Sequence, residues 1–180
     1  MNVIDTKIPE AKIIEPRVFS DARGFFYESW NQHALLNAGL DIHFVQDNHS
    51  RSICNVLRGL HYQIRHPQGK LVRVVVGEVF DVAVDLRKSA PTFGQWVGVV
   101  LSAENKRMLW VPPGFAHGFA VRSEVAEFLY KVTDYWSAEH ERTLLWNDPA
   151  LAIDWHIEGE PIMTDKDRQG IPLEKAEVYA

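Results

Sequence analysis

Between residues 70 and 133 the chain breaks into short runs of β-branched and aromatic residues, each stopped by a turn signal. LVRVVV (71–76) ends at Gly77, and VFDVAVDL (79–86) is followed by the loop SAPTFG (89–94). WVGVVL (96–101) leads through the turn SAEN (102–105) to RMLWV (107–111), which Pro112-Pro113-Gly114 closes. FAHGFAV (115–121) and VAEFLYKVT (125–133) complete the series. Strands this short, at this regular spacing, leave few choices beyond a β-sandwich or barrel. In 79–86, Phe80, Val82, Val84 and Leu86 share one face and Asp81 and Asp85 the other, the period-2 pattern of a half-buried strand. Helical signal is thin: WNQHALLNAGL (30–40), ended by Gly39, and a short turn near 137–142. From Asn147 the chain is punctuated by Pro and Gly and is expected to wrap back on the body.

No repeat, low-complexity tract or linker divides the 180 residues, so one domain over 1–180 is expected, long enough to bury a core. A net charge of −5 gives no bulk attraction to nucleic acid or an anionic membrane. Any phosphate contact must come from a few placed cations. No run approaches the roughly 18 apolar residues of a membrane span, and the start has no signal-peptide layout. The single cysteine, Cys54, forms no internal disulfide and reads as core filling. A cytoplasmic protein is expected.

Two histidines stand out. In LRGLHYQ (57–63), His61 shares a strand face with Gln63, and Gly59 leaves room beside it. In WVPPGFAHGFAV (110–121), His117 is flanked by glycines after a rigid turn. Each is either a ligand-facing group or a hydrogen-bonded core histidine. A metal-binding barrel needs three or four ligands, usually a His-x-His pair. Gln63 occupies the second position of that pair, so no metal is expected and His61 is free to act as a base. Tyr130, on the face of Ala126, Phe128 and Val132, suits either a pocket acid or an ordinary core tyrosine. Lys70, opening a strand after Gly69, reads by default as a solvated end. Arg23 and Glu28, in DARGFFYESW (21–30), could be an edge-strand ion pair.

Taken together, DARGFFYESW, FVQDNHS, LRGLHYQ, QGKLVRVVVGEVFDVAVDLR, PTFG, WVPPGFAHGF, FLYKVTDYW and WNDP occur in the order and spacing of one family. From about residue 5 to about residue 170 the chain closely resembles the dTDP-4-dehydrorhamnose 3,5-epimerases of dTDP-L-rhamnose synthesis. The resemblance implies an all-β, cupin-like jelly roll with short peripheral helices, working as a homodimer without a cofactor. It implies His61 as the base, Asp167 as the carboxylate paired with it, Tyr130 as the acid, and Lys70 and His117 around the sugar and its charge. Arg23, Glu28, Gln46, Asp47, Asn48, Arg58, Glu141 and Lys166 match positions that contact the substrate or its nucleotide. The N-terminal segment is expected to cross the dimer, so that Arg23 and Glu28 serve the partner's site. Trp136 stands where the family commonly has a tyrosine, bearing on a stacking contact with the nucleotide base. His156 replaces a frequent proline, and Met163-Thr164 the usual leucine-serine.

The chemistry is consistent with these residues. A ketone at sugar carbon 4 acidifies the hydrogens on carbons 3 and 5. Inversion then needs removal from one face and return on the other. Rival readings are a single-site epimerase at carbon 3 or 5, a 3,4-ketoisomerase, a sugar-nucleotide binder without turnover, and a metal-dependent cupin oxygenase.

Overall fold

The computed structural model describes all 180 residues. In chain order they form β1 (Asn2–Asp5), β2 (Lys12–Glu15), β3 (Phe19–Asp21), β4 (Gly24–Phe26), α1 (Gln32–Asn37), β5 (Gln46–Ile53), β6 (Leu57–Gln63) and β7 (Lys70–Val76). There follow β8 (Glu78–Asp85), β9 (Trp96–Ser102), β10 (Met108–Val111), β11 (Phe115–Val121), β12 (Val125–Val132), β13 (Glu141–Thr143) and α2 (Asp165–Arg168). One antiparallel sheet has the order β1-β2-β10-β7-β12-β5 and a second the order β13-β6-β11-β8-β9. Strands adjacent in sequence are mostly split between the sheets, and the two faces pack as the expected jelly roll. No helix is long and apolar enough to cross a membrane.

The apolar runs form strands within one or two residues of the bounds read from the sequence. Their faces are a different matter. The inner core joins Val72, Val74 and Phe128 of one sheet to Val79, Val99, Phe115 and Phe119 of the other. Phe80, Val82 and Val84 do not belong to it. They point outward with Leu57, Leu60 and Tyr62, and are covered by Leu144, Leu151 and Trp155. The strand read as half-buried is therefore buried on both faces, and Asp81 and Asp85 have no exposed surface. Asp85 is held by Arg87 Nη2 at 2.7 Å and Thr92 Oγ1 at 2.6 Å. The closing tail makes this possible: each large apolar side chain it shields contributes about 1.5–3 kcal/mol.

Other expectations change at the edges. The helix begins only at Gln32, because the Asn31 side chain caps it by accepting the Ala34 N–H, and Gly39 ends the segment with a φ of +84°. Strand β5 has a polar sequence and was not legible as a strand, yet it pairs with β12 along its whole length. α2 is too short to show a helical period. Cys54 lies in the turn after β5 and is exposed, so it fills no core.

Candidate active site

β6 and β11 pair so that His61 lies directly opposite His117. Between the same strands, Gly59 and Gly118 meet back to back. A Cβ on Gly59 would fall 2.6 Å from the His117 carbonyl oxygen, and one on Gly118 2.6 Å from that of Arg58. Gly59 does not leave room beside His61; it lets the next strand approach. From the other sheet, β12 sets Tyr130 opposite Asn48 of β5, and β7 begins with Lys70. His61, His117, Tyr130, Lys70, Arg58 and Asn48 all line one cavity of about 290 Å³, close to the usual range for small-molecule sites.

His61 is half-buried and its Nε2 donates to Asp167 Oδ1 at 2.5 Å. Asp167 comes from α2, whose cap Thr164 accepts the Asp167 N–H through its hydroxyl. Burial pushes the Asp167 carboxyl up, but the hydrogen bond and charge of His61 outweigh it and hold it below its ordinary value. An ionised Asp167 fixes the His61 proton on Nε2, leaving Nδ1 as the ring's basic nitrogen.

A second pair stands across the strands. His117 Nε2 lies 2.9 and 3.0 Å from the two oxygens of Asp81. Burial holds the His117 imidazole below its usual range, despite the opposing pull of Asp81. Burial also raises the Asp81 carboxyl, while His117 and Lys70 draw it back. Asp81 was absent from the residues singled out in the sequence. The available signal was its place on the polar face of β8, which looked like a solvent face.

Lys70 is not a solvated strand end. It is buried, its Nζ donates to the His61 carbonyl at 3.3 Å, and burial lowers its pKa to about 8 against the pull of Asp81 and Glu141. Burial raises the Tyr130 phenol, so it keeps its proton at neutral pH. At the rim, Arg58 Nε donates to Ser52 Oγ at 3.0 Å. Glu141 pairs with Lys166 at 2.5 Å, tying β13 to α2. Gln46 Nε2 donates to Asn48 Oδ1 at 2.8 Å, and Asp47 pairs with Lys131 at 3.0 Å.

Arg23 and Glu28 are not brought to this cavity, nor do they pair with each other. Arg23 is 90% exposed and bonds Asp21 at 2.6 Å; Glu28 accepts from Asn31 Nδ2 at 2.8 Å. Both belong to the segment around the β3–β4 hairpin, whose Phe25 and Phe26 are exposed. No three His, Cys, Asp or Glu side chains converge as a metal cage, and the side chains of His61 and His117 each have a carboxylate on Nε2.

The cavity thus brings together a histidine paired with a carboxylate, a protonated phenol and a buried lysine, with Arg58 and Asn48 in its lining. The family model described as dTDP-4-dehydrorhamnose 3,5-epimerase matches residues 5–175. A dTDP-4-dehydrorhamnose 3,5-epimerase of Pseudomonas aeruginosa is 63% identical over 96% of this chain and 96% of that protein. The crystal structure of the Legionella pneumophila dTDP-6-deoxy-D-glucose-3,5-epimerase, in complex with dTDP-4-keto-L-rhamnose, superposes with a TM-score of 0.95 at 54% identity, covering 98% of this chain and 94% of that one. The Bacillus anthracis dTDP-4-dehydrorhamnose 3,5-epimerase, with TDP and pyrophosphate bound, gives 0.92 at 48%, covering 95% and 98%.

Proposed function

Since the chain belongs to the dTDP-4-dehydrorhamnose 3,5-epimerase family, we propose that its two inversions run between His61 as base and Tyr130 as acid. The protein is an isomerase of the dTDP-rhamnose pathway. It converts dTDP-4-dehydro-6-deoxy-D-glucose to dTDP-4-dehydro-L-rhamnose by epimerisation at C3 and C5. The observation that carries the residue assignment is the convergence of His61, backed by Asp167, and Tyr130 on one cavity.

Nδ1 of neutral His61 takes the proton from C3, and the electron pair moves into the C3–C4 bond and onto the ketone oxygen. Asp167 stabilises the imidazolium that forms. The Lys70 ammonium meets the enolate charge, a placed cation of the kind that supplies several kcal/mol in such sites. The Tyr130 phenol delivers a proton to the opposite face of C3. His61 then returns its proton to solvent, and the phenolate regains one. The same cycle at C5 completes the conversion. His117, its tautomer held by Asp81, faces the sugar beside His61.

Arg58 and Asn48 of the cavity lining, the Glu141–Lys166 pair that joins β13 to α2, and Gln46 and Asp47 next to Asn48 on β5 bind the sugar nucleotide. Arg58 and Lys166 supply the charge for a diphosphate in a chain of net −5. Arg23 and Glu28 complete the site of a second copy in a homodimer. Their distance from this chain's cavity and the exposed phenyl rings of their hairpin support that reading. A single domain over 1–180 in the reducing cytoplasm completes it; the lone, unpaired Cys54 fits such a setting.

Deuterium incorporation from solvent into the 4-keto sugar, read separately at C3 and C5, tests the assignment. His61→Ala is expected to abolish exchange at C3. Tyr130→Phe is expected to slow epimerisation more than exchange. Full exchange in His61→Ala removes His61 as the base, and equal losses in Tyr130→Phe remove Tyr130 as the acid.

A further inference from the structure

We infer that Gln63 is a positioning residue for the nucleotide end of the substrate, acting through the turn that carries Tyr135 and Trp136. Gln63 closes β6 two residues after His61 and is buried. Its amide makes three hydrogen bonds, all to backbone. Nε2 donates to the carbonyls of His66 at 2.8 Å and Tyr135 at 3.3 Å, and Oε1 accepts the Ser137 N–H at 2.7 Å. Gln68 adds a fourth tie between the same two segments, from its Nε2 to the Asp134 carbonyl at 2.8 Å. The loop after β6 and the turn after β12 are thereby fastened to the strand that carries the base.

The turn is also tied by the Gly69 N–H, which donates to Thr133 Oγ1 at 2.8 Å, and by His66, 3.4 Å from the Asp134 carboxylate. It has no ladder partner of its own, and its two large rings face outward, Tyr135 64% and Trp136 58% exposed. Exposed rings on a fixed backbone offer a planar face, which is what a nucleobase stacks on. Both amide hydrogens and one oxygen lone pair of Gln63 are used, so a side chain of the same size without them takes three part-buried backbone partners away from the turn and loop. The position that would hold a second histidine in a metal-binding barrel here holds a two-sided clamp. The inference rests on the proposed function, with the base of the nucleotide lying on this turn.

Three measurements on the full-length protein test it: calorimetric affinity for dTDP alone, kcat at saturating substrate, and amide hydrogen exchange across 133–137. Gln63→Met is expected to weaken dTDP about tenfold, the effect of one or two lost hydrogen bonds, with faster exchange in the turn and kcat changed less than about twofold. Trp136→Ala is expected to weaken dTDP as well, and the double variant to bind no worse than Trp136→Ala alone. Faster exchange in Gln63→Met with unchanged dTDP affinity overturns the inference, as does a fall in kcat with affinity intact. If Trp136→Ala also leaves dTDP affinity unchanged, the nucleotide does not lie on this turn, and it is the placement of the nucleotide that has failed. Should Gln63→Met not fold, Gln68→Met loosens the same turn from the neighbouring loop and is expected to weaken dTDP by a smaller factor; no change there overturns the inference too.

Discussion

A lysine ammonium moved from water into a protein interior gives up its proton more readily, and Lys70, buried between two sheets, is lowered to about 8. If its charge meets the enolate, kcat/KM falls as pH rises through about 8, and Lys70→Met removes that alkaline limb along with most of the activity. A pH–rate profile of the two proteins checks this. The stability effect has the opposite sign. The folded pKa lies below the ordinary 10.5, so the charged form opposes folding below about 8, and that cost fades as pH climbs towards 10.5. Asp167 behaves conversely. Its lowered pKa stabilises the fold above the ordinary 3.8, and this is lost as pH falls through its folded value. Asp167→Asn keeps the shape but can donate to Nε2 and reverse the tautomer. A kcat loss of about 10²–10⁴-fold with little change in KM is expected from steady-state kinetics. At this scale the sequence was legible where chemistry is local and silent where it is not. His61 and its strand face could be read directly. Asp167, 106 residues away, followed only from family resemblance. Asp81 was hidden because alternation shows which residues share a face, not which face is inside.

That ambiguity recurs among the elements. Every apolar run from 70 to 133 became a strand, because β-branched and aromatic residues between turn residues leave little alternative. Polar β5 was missed, since its partners rather than its composition make it a strand. The pairing of β6 with β11 sets the spacing of the two histidines. It depends on Gly118, where a methyl group would press against the Arg58 carbonyl oxygen. Gly118→Ala is expected to cost about 1–3 kcal/mol, as other overpacked sites do. Thermal melts should show a Tm lower by several degrees. Activity should fall further than stability does, because β11 can yield only by carrying His117 away from His61.

For the molecule as a whole, the proposed homodimer makes a quantitative claim. If Arg23 works in the partner's cavity, His61→Ala and Arg23→Ala damage different halves of one shared site. Each variant alone is expected to be poorly active. Unfolded together and refolded at equal amounts, they should recover about a quarter of wild-type activity, since half of the dimers are mixed and each holds one intact site. No recovery, with mixed dimers demonstrated by native mass spectrometry, places Arg23 in its own chain's site or in none. The tail that covers the outer face of the second sheet has a separate consequence, one that concerns synthesis rather than structure. Strands β6 to β12 are made first and carry His61, Lys70, His117 and Tyr130, whereas Asp167 arrives only with the later α2. A chain that stops short of α2 therefore has His61 without the carboxylate on its Nε2, and it lacks Leu173, Val178 and Tyr179, which pack against the outer apolar cluster, so part of that face lies open to chaperones and proteases. Escape from quality control and the pairing of His61 with Asp167 both wait on the segment that is made after the barrel.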